Sequence, residues 1–477
     1  MVLYSKGMND PHARFRPVLE ITLAQALAHL ESLGETPVSA PADLATLRQR
    51  LAIPLADDGM AAEQVVSELV RDTAGGHLGT AGGRFFAWVV GGALPAALAA
   101  DWLTSAWDAP SALFATGPAA AVVEEVAGHW LKEILGLPAS ASFALVTGCQ
   151  MAHTTCLAAA RHGLLARRGW NVEERGLGGA PAIRILTGDQ RHGSIERSVR
   201  LLGLGRQSVK DLAVDENGRL TADRLRSALE AASGAPTVVL LQAGDLNIGA
   251  YDPFDTLIPL AHEHGAWVHV DGAFGLWAAA SPQYRHLLRG VELADSWATD
   301  GHKWLNVPYD CGYALVADAE AHRAAMSHRE PYLIRVAEAR DPLDWTPEWS
   351  RRARGFATYA ALRQLGRKGV AEIVERCCRL ARRIVRGMGA LAGVEVLWEP
   401  VINQGLVRFP DPRGRGQADD DRRTEHVIAE VARSGEAFFG PTTWRGRRAM
   451  RVSVCNWQTS DSDADRAIEA VSRVLRA

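Results

Sequence analysis

The chain has 477 residues, a formal charge of −3, 47% hydrophobic residues and 22% charged residues. This balance is typical of a globular protein, and the lack of a basic surplus argues against a nucleic-acid-binding protein. The six cysteines show no CxxC spacing. The sequence therefore indicates neither a metal site nor a disulfide framework, and reduced thiols in a cytoplasmic protein fit best.

The N-terminal part of the chain is predicted to be helical. Stretches such as ITLAQALAHLESLG and AAEQVVSELVRDT have helical patterns, and the opening MVLYSKGMNDPHARFRP lacks the apolar region of a signal peptide. The most apolar run, FFAWVVGGALPAALAADWL at 85–103, contains two adjacent glycines, a proline and Asp101. Its uninterrupted apolar part is shorter than the roughly 20 residues of a membrane span. We expect a buried helix or the wall of a pocket instead.

From about residue 140, short β-rich runs alternate with helical stretches. SFALVTG, AIRILTG, TVVLLQAG and AWVHVDGAF are examples of these runs. Such alternation predicts a mostly parallel sheet covered by helices on both faces, with ligands at the carboxyl ends of the strands. A long helical stretch follows at about 351–391, and then a small α/β unit. Its segment PDPRGRGQADDDRR, 410–423, is predicted to be a mobile surface loop.

Three polar residues lie at or near predicted strand ends. Asp271 follows the strand in HVDGAF, Lys303 lies in DSWATDGHKWLNVPYDCG, and His192 precedes a helix start in DQRHGSIERSVRLLG. Taken singly, they are a turn or N-cap aspartate, a surface lysine and a structural histidine. Taken together, they match the needs of pyridoxal phosphate: an amine for a Schiff base, a carboxylate for the pyridinium nitrogen and an imidazole to stack on the ring.

The phosphate of such a cofactor needs backbone N–H groups at a helix start. The segment VTGCQMAHTTCLAAAR offers one, because a strand leads through a short turn into a long helix. Many joins of strand and helix look similar, so this pattern is weak by itself.

The sequence resembles the group II pyridoxal-phosphate-dependent decarboxylases, the family of aromatic L-amino acid and glutamate decarboxylases. The resemblance runs from about residue 80 to the end and is carried by AGDLNIGAYDPFDTLIPLAHEHGAWVHVD, HVDGAFGLWAAAS, ADSWATDGHKWLNVPYDCG and AMRVSVCNWQTSDSD. It implies an α/β fold of type I, with a mostly parallel seven-stranded sheet in the large domain and a small C-terminal α/β domain. The expected boundaries are 1–110 for an N-terminal helical segment, 111–370 for the cofactor-binding domain and 371–477 for the small domain.

The resemblance also implies roles for individual residues. Lys303 matches the Schiff-base lysine, Asp271 the pyridinium partner and His192 the stacking histidine, while Ala273 lies under the ring. The family further implies a homodimer with active sites at the subunit interface and pyridoxal 5′-phosphate as the cofactor.

The phosphate side of the site is less regular. Asp300 and His302 match positions beside the phosphate. Cys149 and Gln150 fall where the family usually has small residues or serine, so backbone N–H groups are expected to hold the phosphate here.

The family's aromatic decarboxylases carry a loop tyrosine that helps to protonate the carbanion after carbon dioxide leaves. The matching segment here, EARDPLDWTPEWSRRARGF at 338–356, has Pro342 in that place, and Tyr332 belongs to a preceding element. Either another group protonates, such as His192 or a water molecule, or oxygen intercepts the carbanion and an aldehyde forms.

The substrate is indicated by a few residues. Trp88 and Phe86 match the mouth of the pocket, which favours an aromatic or large apolar L-amino acid, although both residues are equally consistent with a core position. Gly91 and Gly92 stand where some relatives contact the substrate with a side chain, so the sequence predicts a roomier pocket. Arg451 is a further candidate from the small domain.

The leading hypothesis is decarboxylation of an L-amino acid to the amine and carbon dioxide. The alternative is an oxygen-dependent reaction to an aldehyde on the same fold. A catalytically silent dimeric relative is disfavoured because Lys303, Asp271 and His192 are all retained. An aminotransferase is compatible with the fold, but a fold does not determine the chemistry.

Overall fold

The computed structural model describes residues 14–232 and 234–477, so most of the opening stretch inspected for a signal peptide lies outside the described residues. The strands are β1 (Phe85–Phe86), β2 (Ser142–Val146), β3 (Arg184–Gly188), β4 (Val209–Leu212), β5 (Thr237–Gln242), β6 (Trp267–Asp271), β7 (Ser296–Asp300), β8 (Gly312–Val316), β9 (Glu395–Trp398), β10 (Gln404–Arg408), β11 (Phe438–Trp444) and β12 (Arg447–Ser453). The helices are α1 (Phe15–Ser32), α2 (Leu44–Leu51), α3 (Ala62–Thr73), α4 (Pro95–Ala106), α5 (Pro118–Leu135), α6 (Cys149–Ala166), α7 (Val172–Arg175), α8 (Gly193–Leu201), α9 (Ala222–Ala231), α10 (Phe254–Glu263), α11 (Ala319–Met326), α12 (Gly355–Gly389), α13 (Gln417–Ser434) and α14 (Asp461–Arg476).

The predicted mostly parallel, seven-stranded sheet is confirmed. Its strand order is β2-β8-β7-β6-β5-β3-β4, and β8 is the one strand that runs antiparallel to both of its neighbours. The central strands β5, β6 and β7 are buried along their whole length. Runs such as TVVLLQ suit this position, because helices cover both faces of a parallel sheet and leave no face for polar residues.

A second sheet has the order β1-β11-β12-β10-β9. Strand β1 comes from the N-terminal part of the chain and pairs in parallel with β11. Helix α12 runs across the expected 370/371 boundary and is interrupted at Gly366, whose φ of 59° is not helical. The domain boundaries themselves stay predictions.

The apolar run at 85–103 forms strand β1, a turn and helix α4 rather than one long helix. In the part of the chain that the structure describes, no helix combines the length and the hydropathy needed to span a membrane.

The predicted mobile loop at 410–423 is wrong in its second half, because helix α13 begins at Gln417. Its first turn carries Asp419 and Asp420, and carboxylates near a helix N-terminus are favourable. One oxygen of Asp420 also accepts the N–H of Asp411 at 2.7 Å. The sequence did not predict this helix start, because the charged residues around it show no helical repeat of apolar positions.

Candidate active site

Four elements present their ends at one edge of the large sheet. Strands β6 and β7 end there with Asp271 and Asp300. Strand β2 runs in the same direction as β7, since both are antiparallel to β8, so the start of α6 at Cys149 lies at this edge as well. Helix α8 begins with His192 as its N-cap, after the parallel strand β3. This is the edge at which ligands bind in such sheets.

Lys303 lies in the turn that follows β7, and its side chain is 17% exposed. Its Nζ atom is 3.2 Å from Oδ2 of Asp300 and 5.7 Å from the ring centre of Phe274. Burial lowers the pKa of Lys303, but the nearby carboxylates, Asp300 above all, outweigh burial, so the pKa is raised. The structure thus holds the amine as a cation paired with Asp300.

Asp271 is the last residue of β6 and is buried. Its Oδ1 atom accepts the backbone N–H of Ala273 at 3.1 Å and lies 3.5 Å from Nε2 of His153, a residue that the sequence interpretation did not include. The small side chain of Ala273 is partly exposed, so it leaves space in front of the carboxylate.

His192 is fixed at the start of α8. Its Nδ1 atom accepts the N–H of Ser194 at 3.2 Å, and the Ser194 hydroxyl lies 2.8 Å from the same nitrogen. The ring is exposed, yet surrounding protein atoms lower the pKa of His192 by desolvation. The carboxylate of Asp271 opposes this effect, while the charges of Lys303 and Arg451 add to it. Asp271, Lys303 and Arg451, all predicted from the sequence, therefore lie close enough to His192 for their charges to shift its pKa.

Asp300 connects the remaining groups at this edge. Its Oδ1 atom accepts the N–H of Cys149 at 2.5 Å, and its Oδ2 atom lies 3.5 Å from Nε2 of His302. His302 donates its Nδ1–H to the carbonyl of Cys311 at 3.2 Å, since a carbonyl only accepts. Burial is the main cause that lowers the pKa of His302 and raises that of the Cys149 thiol.

The side-chain amide of Gln150 is held between helices α6 and α8. It donates to Oγ1 of Thr154 at 3.3 Å and to Oγ of Ser198 at 3.4 Å, so it joins helix α6 to helix α8.

Gly91 lies against the Lys303 turn. The N–H of Gly91 donates to the carbonyl of His302 at 3.1 Å, and a Cβ atom at Gly91 would lie 1.9 Å from the carbonyl oxygen of Lys303. The expectation of a roomier pocket at Gly91 is therefore wrong, because backbone fills that space.

Trp88 is 52% exposed, whereas Phe86 is fully buried and stacks on Phe439 with 5.2 Å between the ring centres. The core interpretation holds for Phe86.

Arg451 lies in β12 and is buried. It donates from Nη1 to the carbonyl of Leu246 at 3.1 Å, and its Nε has no partner among the described residues. Burial lowers the pKa of Arg451 to about 10, against the opposing charge of Asp245.

Pro342 is buried in a short 3-10 helix, 342–344. The adjacent N–H of Leu343 donates to the carbonyl of Ala112 at 3.0 Å. Tyr332, in the preceding segment, is 70% exposed. The sequence interpretation missed Tyr309, whose ring stacks on that of His302 with 4.2 Å between the ring centres. Desolvation raises the pKa of Tyr309, and the opposing charge of Lys303 only partly offsets this increase.

The donor set at this edge fits pyridoxal 5′-phosphate. A primary amine, a carboxylate and an imidazole come from three separate elements, and a helix N-terminus supplies N–H groups for an anion. The thiol of Cys149 is buried, and the side-chain amide of Gln150 contacts Ser198 on α8, so the contribution of both residues to cofactor binding stays a prediction.

Comparisons with known proteins agree with this fit. The model of the pyridoxal-dependent decarboxylase conserved domain matches residues 56–410. The aromatic-L-amino-acid decarboxylase of Bacillus atrophaeus is 24% identical over 443 residues, or 91% of this chain and 90% of the relative. The cysteine sulfinic acid decarboxylase of Homo sapiens is 26% identical over 445 residues, which cover 90% of this chain and 89% of the relative. The crystal structure of Oryza sativa TDC with PLP and tryptamine has a TM-score of 0.91 at 23% identity and covers 99% of this chain and 100% of that one.

The structural likeness confirms the predicted fold type I. The family match confirms the predicted cofactor, pyridoxal 5′-phosphate. Because the family model spans more than half of the chain, the chain belongs to the pyridoxal-dependent decarboxylases and is a pyridoxal-phosphate-dependent carboxy-lyase.

Proposed function

We propose that this enzyme decarboxylates an L-amino acid with an aromatic or large apolar side chain to the amine and carbon dioxide. The observation that carries the proposal is the convergence of Lys303, Asp271 and His192 at one edge of the sheet. When bound, pyridoxal phosphate supplies the electron sink that stabilises the negative charge left when carbon dioxide departs.

In this proposal Lys303 would hold the cofactor aldehyde covalently, and its freed amine would move protons. Asp271 would pair with the pyridine nitrogen and keep it protonated, because a buried carboxylate needs a cationic or N–H partner. His192 would stack on the ring, and its N-cap contacts with Ser194 keep the imidazole in place. Ala273 leaves room for the ring.

The phosphate is expected at the start of α6, where a helix N-terminus favours an anion. Asp300 already accepts the N–H of Cys149. We therefore assign the phosphate to the later backbone N–H groups of Gln150 and Met151, while His302, which donates its Nδ1–H to Cys311, stays a predicted neighbour of the phosphate.

One residue supports the proposed substrate class. Trp88 lies three residues before Gly91, which contacts the Lys303 turn, and its exposed indole suits an aromatic or large apolar side chain. Arg451 is buried near His192, and its Nε has no partner among the described residues. A carboxylate in the substrate side chain would pair with this guanidinium, so Arg451 is the reason to include acidic amino acids in the substrate panel. Phe86 is left out of the pocket because it is a core residue.

The oxygen-dependent alternative rests on one observation. Pro342, at the position of the family's loop tyrosine, is buried and has no proton to give. A carbanion that is protonated slowly stays exposed to oxygen for longer. His192 and Tyr309 are the two groups near Lys303 that we consider as replacement donors.

We also propose a homodimer in the cytoplasm. Among the described residues, α1 has no buried side chain, and Phe15, Leu19, Leu23 and Leu27 recur every fourth position with exposures of 45% or more. A second copy of the chain would cover this face. The cytoplasmic location is supported by the six cysteines, which are all free in the described part of the chain.

A substrate panel tests the proposed reaction. Tryptophan, tyrosine, phenylalanine and leucine are compared with glutamate and cysteine sulfinate, and carbon dioxide, amine, aldehyde and hydrogen peroxide are measured together. The proposal expects carbon dioxide and amine in equal amounts from the aromatic or large apolar group. Turnover restricted to the acidic group would contradict the substrate class, and aldehyde with peroxide as the main products would favour the alternative.

A further inference from the structure

A buried chain of polar side chains lies behind Asp271. Nε2 of His153 is 3.5 Å from Oδ1 of Asp271, and Nδ1 of His153 is 2.9 Å from Nε2 of His269. Nδ1 of His269 is 2.9 Å from the hydroxyl of Ser296, which also accepts the indole N–H of Trp267 at 2.9 Å. His153, His269 and Ser296 are fully buried, so solvent does not replace any of these contacts.

The proton positions in this series of buried side chains follow from Trp267, whose direction of donation is fixed. Burial lowers the pKa of both His153 and His269 to about 3, so each ring is neutral and carries one N–H. The indole of Trp267 only donates, so it occupies one lone pair of the Ser296 oxygen, and Nδ1 of His269 is the acceptor that this chain offers to the Ser296 hydroxyl proton. His269 then donates from Nε2 to His153, and His153 carries its own proton on Nε2, facing Asp271.

The reverse arrangement is unfavourable at both ends. The hydroxyl proton of Ser296 would lose its acceptor in this chain, and the lone pair of His153 Nε2 would face a carboxylate oxygen. The structure therefore favours one direction of the hydrogen bonds, from Trp267 towards Asp271.

We propose that His153 is a positioning residue for Asp271. Its Nε2–H and the backbone N–H of Ala273 hold Oδ1, so that the other carboxylate oxygen stays directed at the pyridine nitrogen. The spacing of 3.5 Å is at the outer limit of a hydrogen bond, and such contacts tighten when the ligand binds. This inference rests on the proposed role of Asp271.

The sulfur of Cys149 lies 3.4 Å from the same Nε2, and Cys149, His153 and Asp271 together have the spacing of a metal site. Burial raises the pKa of the Cys149 thiol well above its ordinary value, which disfavours the thiolate that a metal requires. The hydrogen-bond chain accounts for the placement of His153 beside Asp271 without a metal ion.

Two variants of similar size test the proposal: His153→Gln retains an N–H donor at the reach of Nε2, and His153→Met does not. Cofactor affinity is measured by absorbance titration of the cofactor-free protein, and the pH dependence of the cofactor's visible absorbance is recorded. We expect the methionine variant to bind the cofactor about 10- to 100-fold more weakly, as is typical for loss of a group that orients a ligand-binding side chain. The glutamine variant should stay close to wild type.

Equal affinities and equal pH dependence in the two variants would overturn the proposal. The difference in cofactor affinity between the two variants should also disappear when Asp271 is replaced by asparagine. If His153 were merely structural, the difference would persist in that background. If His153→Met does not fold, Ser296→Ala carries the test from the far end of the chain, where weaker cofactor binding supports the proposal and unchanged binding overturns it. None of these readouts depends on turnover, so they are independent of whether the proposed reaction is correct.

Discussion

The carboxylate of Asp300 lies 3.2 Å from the amine of Lys303, three residues further along the chain. Although burial lowers the pKa of Lys303, Asp300 and its neighbours raise it on balance. Only the neutral amine attacks the cofactor aldehyde. The pair therefore holds most of Lys303 in its unreactive form near neutral pH.

Replacing Asp300 tests this pairing. Asp300→Asn removes the charge, so the pKa of Lys303 should fall and the cofactor should attach faster to the cofactor-free protein at pH 7. The gain is about tenfold for each unit by which the pKa falls. Attachment rates measured by absorbance from pH 6 to 10 should rise with pH in both proteins, with the variant's curve displaced to lower pH. Asp310→Asn is the control, since Asp310 pairs with Arg354 instead. Coincident curves for wild type and Asp300→Asn would contradict the assignment.

Asp271→Asn should impair the reaction more than its small change in shape suggests. The amide retains an oxygen for the N–H groups of His153 and Ala273 but cannot hold the pyridine nitrogen protonated. Loss of a hydrogen bond to a charged group costs about 1.5–3 kcal/mol, which corresponds to roughly a 10- to 150-fold loss. Carbon dioxide release is the measurement, and activity within a few-fold of wild type would remove Asp271 from its proposed role.

The missing loop tyrosine leads to a prediction about oxygen. With a good substrate, wild type should consume a measurable amount of oxygen beside carbon dioxide release, because Pro342 gives no proton. If His192 is the replacement donor, His192→Asn should shift product from amine towards aldehyde, and Tyr309→Phe should not. The opposite pattern would assign the proton to Tyr309. Amine alone from all three proteins, without peroxide, would rule out the slow protonation itself.

The apolar face of α1 predicts the oligomeric state. Light scattering should give twice the 51.4 kDa of one chain. Leu19→Glu with Leu23→Glu should dissociate the dimer and abolish activity together, because charges on a covered apolar face are costly. Val401→Glu, on an exposed residue of the small unit, is the matched control. A monomeric wild type with full activity at the same concentration would contradict the dimer.

The sequence predicted the large sheet well because its strands carry continuous apolar runs such as TVVLLQ, bounded by turn residues. It also pointed to Lys303, Asp271 and His192, since each follows a strand or precedes a helix at the same edge.

Other features depend on contacts between distant segments, and no local pattern reports them. Gly91 packs on the backbone of Lys303, more than 200 residues away, so its role was misjudged as open space. His153 and Tyr309 were missed because one lies inside an apolar helix and the other in a turn. The spacing of i and i+4 from Cys149 on α6 was the available signal for His153.

Reduction of the holoenzyme with borohydride tests the central claim most directly, because it fixes the cofactor to the amine that holds it. The chain has only five lysines, at positions 6, 132, 210, 303 and 368, so mass spectrometry of a digest distinguishes them without ambiguity. We predict one pyridoxyl group per chain, on the peptide that contains Lys303, and neither the label nor the visible absorbance in Lys303→Ala. A label on any other lysine, or an unchanged visible spectrum in Lys303→Ala, would contradict the assignment of Lys303 as the cofactor-binding residue.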